Sequence, residues 1–277
     1  MFRVASSDGV SVAVHHLAGD GDRPPLLISH ATGFHAHCYV PLARALADRF
    51  DCFGADARGH GDTAAPEDWE VDWSAFGDDA AAAATSLAPD GGLVGVGHSM
   101  GGAALLMAAH RHPGLFDRLV LFEPVAHGAS DGADIHRADM ESLPIVRGAR
   151  RRRRRFGSRD EAYGNYEDKP PLSVMTPEVL RLYVDHGLRE VDGGLELCCD
   201  PQLEADIFVR GRENGAWDLL PEIDVPTLVV AGVVEEMQPA RWAAGIAERL
   251  PAGRYLELPH LTHLGPFSHP DEVAALV

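Results

Sequence analysis

Ser99 lies in the segment Gly97-His98-Ser99-Met100-Gly101, where a glycine stands two residues before and two residues after the serine. The segment follows an apolar run typical of a strand and precedes a run typical of a helix. A Gly-x-Ser-x-Gly turn in that position lifts the serine oxygen above a sheet, and it needs glycine because the turn leaves no room for side chains. The pattern therefore predicts that Ser99 is a nucleophile that attacks a carbonyl group.

A serine nucleophile needs a base and a site for the developing negative charge. His263 lies in the loop after the last predicted strand, which agrees with the chain order nucleophile, acid, base. His260 is the competing histidine, and we interpret it as a loop residue. The turn Ser29–Gly33 is built of small residues, so we expect the N–H groups of Thr32 and Met100 to form an oxyanion hole.

The sequence also contains partial patterns of two other kinds of site, a metal site and a nucleotide-binding site. His30, His35 and His37 suggest a metal site, but no cluster of carboxylates or thiolates accompanies them in the sequence. Gly95 and Gly97 begin a Gly-x-Gly-x-x-Gly nucleotide-binding pattern, but its third glycine is replaced by Met100. We therefore predict neither a metal nor another cofactor.

Composition narrows the class of protein. The 277 residues include 24 basic and 42 acidic side chains, a formal net charge of −18, and 45% are hydrophobic. Such a chain is expected to fold around a core, and its acidity argues against binding nucleic acid or anionic membranes. The longest near-apolar run, Val225–Val234, is too short for a membrane helix, and no signal peptide is visible. We expect a cytoplasmic protein with a small-molecule substrate; its oligomeric state is not indicated.

Strand-like and helix-like runs alternate through residues 1–124 and again through 219–277, which predicts a mainly parallel sheet covered on both faces. Residues 125–218, called the cap segment below, lack this alternation. Two helices are predicted there, opening at Thr176-Pro177 and Asp200-Pro201. We therefore expect an α/β domain interrupted by a helical insertion.

Four motifs, Ser29–Gly33, Asp56–Thr63, Gly97–Gly102 and Thr262–Pro266, closely resemble those of the α/β-hydrolase superfamily and occur in its order. The resemblance covers residues 1–124 and 219–277. It implies a mostly parallel eight-stranded sheet with helices on both faces and a helical cap inserted at 125–218. It also implies Ser99 as nucleophile and His263 as base, with a structural role for the loop Asp56–Gly61.

The triad acid has two candidates. Members of the superfamily commonly place the acid after the next-to-last strand, and Glu235 holds that place in the segment Gly232–Pro239. A minority place it one strand earlier, where Glu123 stands. The commoner position favours Glu235, with Glu123 close behind; either carboxylate can hold the His263 tautomer.

These residues predict a serine hydrolase that cleaves a small ester or lactone through an acyl-enzyme. The alternatives are a C–C bond hydrolase, a perhydrolase or an acyltransferase using the same residues, or a non-enzymatic ligand-binding protein. The run Arg150–Arg155 is either a substrate entrance or a solvated helical face neutralised by nearby acids. The acids considered for that role are Asp160, Glu161, Glu167 and Asp168.

Overall fold

The computed structural model describes residues 1–127, 140–234 and 239–277. Within them, eight strands pair into one sheet in the order β1-β2-β4-β3-β5-β6-β10-β11. These strands are β1 (Phe2–Ala5), β2 (Ser11–Ala18), β3 (Pro25–Ser29), β4 (Asp51–Asp56), β5 (Leu93–His98), β6 (Phe116–Phe122), β10 (Thr227–Ala231) and β11 (Gly253–Glu257). The first two pairings are antiparallel and the others are parallel, which confirms the predicted eight-stranded, mostly parallel sheet.

Helices cover both faces of the sheet. They are α1 (Val40–Leu46), α2 (Trp73–Leu87), α3 (Met100–Arg111), α4 (Pro144–Arg150), α5 (Arg159–Tyr166), α6 (Pro177–His186), α7 (Pro201–Arg210), α8 (Ala216–Leu219), α9 (Ala240–Arg249), α10 (Gly265–Ser268) and α11 (Pro270–Ala274). Single 3-10 turns occur at Ser7–Gly9, Ala36–Tyr39, Leu172–Val174, Gly211–Glu213 and Leu220–Glu222. None of the helices in the described ranges is long and apolar enough to cross a lipid bilayer.

Two apolar clusters hold the helices on the sheet. One contains buried side chains of α2, α3 and α9, and the other contains those of α1 and α11 together with α6 of the cap segment. Helix α3 is buried almost all round, and its small residues let it lie close to β3 and β5. The helix therefore begins in a fixed position at the end of β5.

The parallel strands end in register at one edge of the sheet. Ser29 at the end of β3 lies opposite Gly97, and His98 at the end of β5 lies opposite Phe122 at the end of β6. Phe122 in turn lies opposite Val230 of β10. The residues that follow these strands are thereby brought together, as in other open α/β sheets, whose ligands bind at this edge.

The cap segment contains more than the helices expected from sequence. Three short strands, β7 (Arg155–Phe156), β8 (Leu188–Val191) and β9 (Gly194–Leu197), form a separate antiparallel sheet in the order β7-β9-β8. The two predicted helices form as α6 and α7, whose caps Thr176 and Asp200 accept hydrogen bonds from backbone N–H groups.

The arginine run is not a helical face, contrary to one of the two interpretations. Helix α4 ends at Arg150, and the run continues as a turn and then as β7. Most of its acidic partners are also not the ones considered from sequence. Of the four acids considered there, only Glu161 pairs with the run; its other acidic partners in the described residues are Glu141, Glu196, Asp200, Glu204 and Asp206.

Candidate active site

Ser99 occupies a sharp turn between β5 and α3. Its backbone has φ 54° and ψ −115°, a conformation that L-residues rarely adopt and that costs about 1–3 kcal/mol. The Ser99 N–H donates to the carbonyl oxygen of Phe122 at 3.0 Å, which ties the turn to β6. A strained backbone held in this way keeps the serine at the edge of the sheet, where the residues following β3, β6 and β10 also lie.

The glycines around Ser99 are required by close packing. A Cβ atom at Gly97 would lie 2.6 Å from the Cα of Gly102, and one at Gly101 would overlap the carbonyl oxygen of Ser29. A Cβ atom at Gly102 would lie 2.7 Å from the Cβ of Pro124. Larger residues would therefore push the start of α3 away from β3 and from the chain after β6.

His263 contacts Glu123, one of the two candidate acids. Its Nδ1 lies 2.6 Å from Glu123 Oε2, and the Glu123 side chain is 1% exposed. Because a carboxylate accepts, Nδ1 donates the proton, and the lone pair of the imidazole is left on Nε2. His260 instead pairs with Glu272 at the surface, consistent with its interpretation as a loop residue.

Glu123 is held through both its carboxylate and its backbone. Its Oε1 accepts the N–H of Gly232 at 2.8 Å, while its own backbone N–H donates to Val230 at 2.8 Å. Glu123 adopts φ 45°, the left-handed region, so the side chain turns away from the line of β6. The second candidate acid, Glu235, lies outside the described residues.

Buried hydrogen bonds of His98 and Tyr39, which sequence reasoning missed, join the loop of His263, the residue before Ser99 and the turn that contains Ala31. His98 Nε2 lies 2.8 Å from the carbonyl oxygen of His263, and its Nδ1 lies 2.8 Å from the hydroxyl of Tyr39. That hydroxyl accepts the N–H of Ala31 at 3.1 Å. Burial, followed by the neighbouring His263, lowers the pKa of His98 well below its usual value, so the ring is neutral. It therefore donates from Nε2 and accepts at Nδ1.

The turn predicted to supply an oxyanion donor is fixed by two neutral histidines. His30 Nε2 accepts the N–H of Ala57, and His60 Nε2 accepts the N–H of Gly33, each at 3.0 Å. Burial lowers the pKa of both imidazoles, that of His60 to about 3. Thr32 is buried between these anchored residues, and its N–H has no hydrogen-bond acceptor in the ranges that the structure describes. Met100 opens α3, so its N–H has no acceptor within the helix.

The remaining histidines near this turn face the cap segment. The His37 ring stacks on His186 with centroids 3.7 Å apart, and His35 Nε2 lies 3.2 Å from the carbonyl oxygen of Tyr183. Burial lowers the pKa of His35 to about 4 and contributes most to lowering that of His37 to about 3. These rings therefore form a neutral contact between core and cap segment.

Two carboxylates lie near a different histidine, His15, which the sequence did not reveal. Among the described residues, His15, Asp56 and Asp62 place one ligand atom each within 4.8 Å of one another. Asp56 already accepts the N–H groups of Ala36 and Asp62, each at 2.8 Å, as well as contacting His15 at 2.9 Å. These contacts give Asp56 a structural role in joining the loop after β4 to β2.

The comparisons with known proteins agree with this architecture. The 2-(acetamidomethylene)succinate hydrolase of Mesorhizobium japonicum is 26% identical over 224 residues, 76% of this chain and 71% of that protein. The pimeloyl-(acyl-carrier protein) methyl ester esterase of Neisseria meningitidis serogroup B is 26% identical over 251 residues, 89% of this chain and 88% of that protein.

Solved structures show the same fold. The crystal structure of E-2-(acetamidomethylene)succinate hydrolase superposes with a TM-score of 0.79 and 21% identity, covering 100% of this chain and 97% of that one. The model of the alpha/beta hydrolase family matches residues 26–276. This chain therefore belongs to the alpha/beta hydrolase family.

Proposed function

We propose that the protein is a serine hydrolase that cleaves a small ester or lactone through an acyl-enzyme. Ser99 is the nucleophile, His263 the base and Glu123 the acid. The observation that carries the proposal is the 2.6 Å contact between Glu123 and His263 Nδ1, at the edge of the sheet where Ser99 is presented. The named relatives, a hydrolase and an esterase, support hydrolytic chemistry.

The proposed reaction begins when His263 Nε2 accepts the Ser99 proton as Oγ attacks the carbonyl carbon of the substrate. The N–H groups of Thr32 and Met100 donate to the oxyanion of the tetrahedral intermediate. Removing one such donor typically raises the activation free energy by about 2.7–4 kcal/mol. The imidazolium is stabilised by Glu123 and protonates the leaving alcohol. Water, activated by the same histidine, then releases the acid and restores Ser99.

The acid assignment differs from the one favoured by the sequence. The sequence favours Glu235 because members of the superfamily commonly place the acid after the next-to-last strand. We assign the role to Glu123 because its buried carboxylate, fixed by the Gly232 N–H, already contacts His263. The alternative chemistries, C–C hydrolysis, perhydrolysis and acyl transfer, use the same residues, and no contact among the described residues of the site favours them.

The proposal is tested by turnover of short-chain aryl esters and lactones by wild type and by Ser99→Ala. We expect wild type to hydrolyse at least one of these classes, and the variant to lose about 10⁶-fold in kcat. His260→Ala is the matched control and should turn over as wild type does. Equal rates for wild type and Ser99→Ala would refute the proposal.

A further inference from the structure

Arg152 is the inward-facing member of the arginine run. Its side chain is 17% exposed, whereas those of Arg153, Arg154 and Arg155 are 50%, 52% and 69% exposed. The guanidinium lies between two tyrosine rings, 5.7 Å from the centroid of Tyr166 and 6.0 Å from that of Tyr183, and donates to both hydroxyls.

The acidic partner of Arg152 lies against the proposed oxyanion turn. Arg152 Nη1 is 2.5 Å from Glu204 Oε2, and Glu204 is 9% exposed. A Cβ atom at Gly33, the residue after Thr32, would overlap Glu204 Oε1 and would lie 3.5 Å from Arg152 Nη1. An arginine of the cap segment thus holds a carboxylate directly above the turn that we propose for the oxyanion.

A series of aromatic ring contacts connects the surroundings of Arg152 with those of Ser99. Tyr183 contacts the ring of Phe34 with centroids 5.5 Å apart, and Phe34 contacts Phe267 at 4.7 Å. Phe267 in turn contacts His98, the residue before the serine, at 5.4 Å. The cavity beside Arg152 and Gly33 has a volume of about 10 Å³, which is room for about one water molecule.

A buried ion pair is a poor means of attaching a cap. Removing both charges from water costs several kcal/mol per ion, and apolar residues of similar volume often stabilise as well or better. Guanidinium has five donors in a planar fork, so it can exchange one carboxylate partner for another. A pair that lies against Gly33 rather than in the interior of the cap segment is explained if the arginine also receives a ligand.

We propose that Arg152 binds a carboxylate of the substrate, so that the hydrolysed ester or lactone carries a free carboxylate on its acyl part. This inference rests on the proposed function. Glu204 occupies Arg152 when the site is empty and competes with the substrate carboxylate for it. Arg152 is thus a substrate-binding residue, and Glu204 sets how strongly it binds anions.

The test measures binding without turnover. Monomethyl succinate, which carries the carboxylate, and neutral dimethyl succinate are titrated calorimetrically into Ser99→Ala. We expect the half-ester to bind about tenfold to a hundredfold more tightly than the diester, the range that a charged hydrogen bond provides. Adding Glu204→Gln to Ser99→Ala should strengthen binding of the half-ester but not of the diester, because the competing carboxylate has been removed.

The double substitution Arg152→Met with Glu204→Gln removes the pair without leaving a buried charge, so it tests the site in a folded protein. In the Ser99→Ala background it should abolish the preference for the half-ester while the protein remains folded by circular dichroism. A preference that survives the double substitution, or no binding of either ligand to Ser99→Ala, would overturn the inference. A wild-type protein that hydrolyses no aryl ester would instead count against the proposed function.

Discussion

At the scale of single residues, the proposed reaction depends on the contact between Glu123 and His263. In that proposal the carboxylate at Nδ1 fixes the tautomer that leaves Nε2 free to accept a proton, and it stabilises the imidazolium that follows. Glu123→Gln keeps the size of the side chain but removes the charge. We expect kcat for an aryl ester to fall by about 10⁴-fold, as measured by steady-state kinetics.

The matched control for Glu123→Gln is Glu235→Gln, the other acid proposed from sequence. It should leave kcat at the wild-type value. A large loss in Glu235→Gln with normal turnover in Glu123→Gln would reverse the assignment, and mild losses of equal size in both would argue against either residue as the triad acid.

We expect Tyr39 to position the proposed site through its hydrogen bond to His98. Its hydroxyl donates to His98, which holds the carbonyl of His263, and accepts from Ala31. Tyr39→Phe should lower kcat about tenfold with little change in KM, since it disturbs the base and not the binding of the substrate. The exposed Tyr255→Phe is the control; a pure stability loss at Tyr39, with kcat intact, would contradict a positioning role.

The sequence predicted Ser99 and His263 through their motifs, because local geometry demands glycine and a fixed chain order around them. It left the acid open because Glu123 reaches His263 across 140 residues of chain. Spacing along the chain does not reveal a contact made through the left-handed backbone of Glu123 and the N–H of Gly232. The hydrogen bonds of Tyr39 are not predictable for the same reason: they join the 3-10 turn Ala36–Tyr39 to Ala31 after β3 and to His98 at the end of β5.

At the scale of elements, the turn from β5 to α3 is set by how closely the helix approaches the strand. In Gly97→Ala the new methyl group would lie 2.6 Å from the Cα of Gly102, so α3 must shift. We expect the free energy of unfolding to fall by about 1–3 kcal/mol, measured by urea denaturation, and kcat to fall with it. An unchanged free energy of unfolding would show that the turn is looser than these distances indicate.

Gly148→Ala supplies the control for that experiment. Gly148 lies within α4, and a Cβ atom there would meet nothing within 4 Å. Alanine loses less backbone freedom on folding than glycine, so this variant should gain about 0.5–1 kcal/mol. The opposite signs of the two effects separate steric crowding from any general effect of glycine replacement.

Elements of the core were predicted more fully than those of the cap segment. Apolar runs such as Pro25–Ser29 are buried along their whole length, and such runs reveal parallel strands in a sequence. Strands β7, β8 and β9 contain only two to four residues each and include charged side chains, so they give no periodic signal. Glu196 of β9 forms ion pairs with Arg154 and Arg155, contacts across 42 and 41 residues of chain that spacing in the sequence does not reveal.

At the scale of the whole molecule, the buried histidines make stability depend on pH. Burial lowers the pKa of His35 to about 4 and that of His60 to about 3, whereas an unfolded histidine titrates near 6.5. Between these values the unfolded chain binds protons that the folded chain does not. The free energy of unfolding should therefore fall as the pH is lowered from about 6.5 towards 4.

Urea denaturation at pH 7, 6 and 5 checks this expectation. His60→Gln, whose amide can accept from Gly33 and donate to Arg58, should reduce the pH dependence, whereas the exposed His112→Gln should leave it unchanged. A free energy of unfolding that is the same at pH 7 and pH 5 would mean that the buried imidazoles are protonated in the folded protein.

The proposed reaction requires a nucleophilic Ser99 that forms a covalent acyl-enzyme, and mass spectrometry after reaction with a fluorophosphonate measures that reactivity. We predict one adduct per chain, located on Ser99, and none in Ser99→Ala. His263→Ala should react far more slowly while remaining folded by circular dichroism. A folded wild-type protein that gains no adduct, or gains it at another residue, would contradict the account.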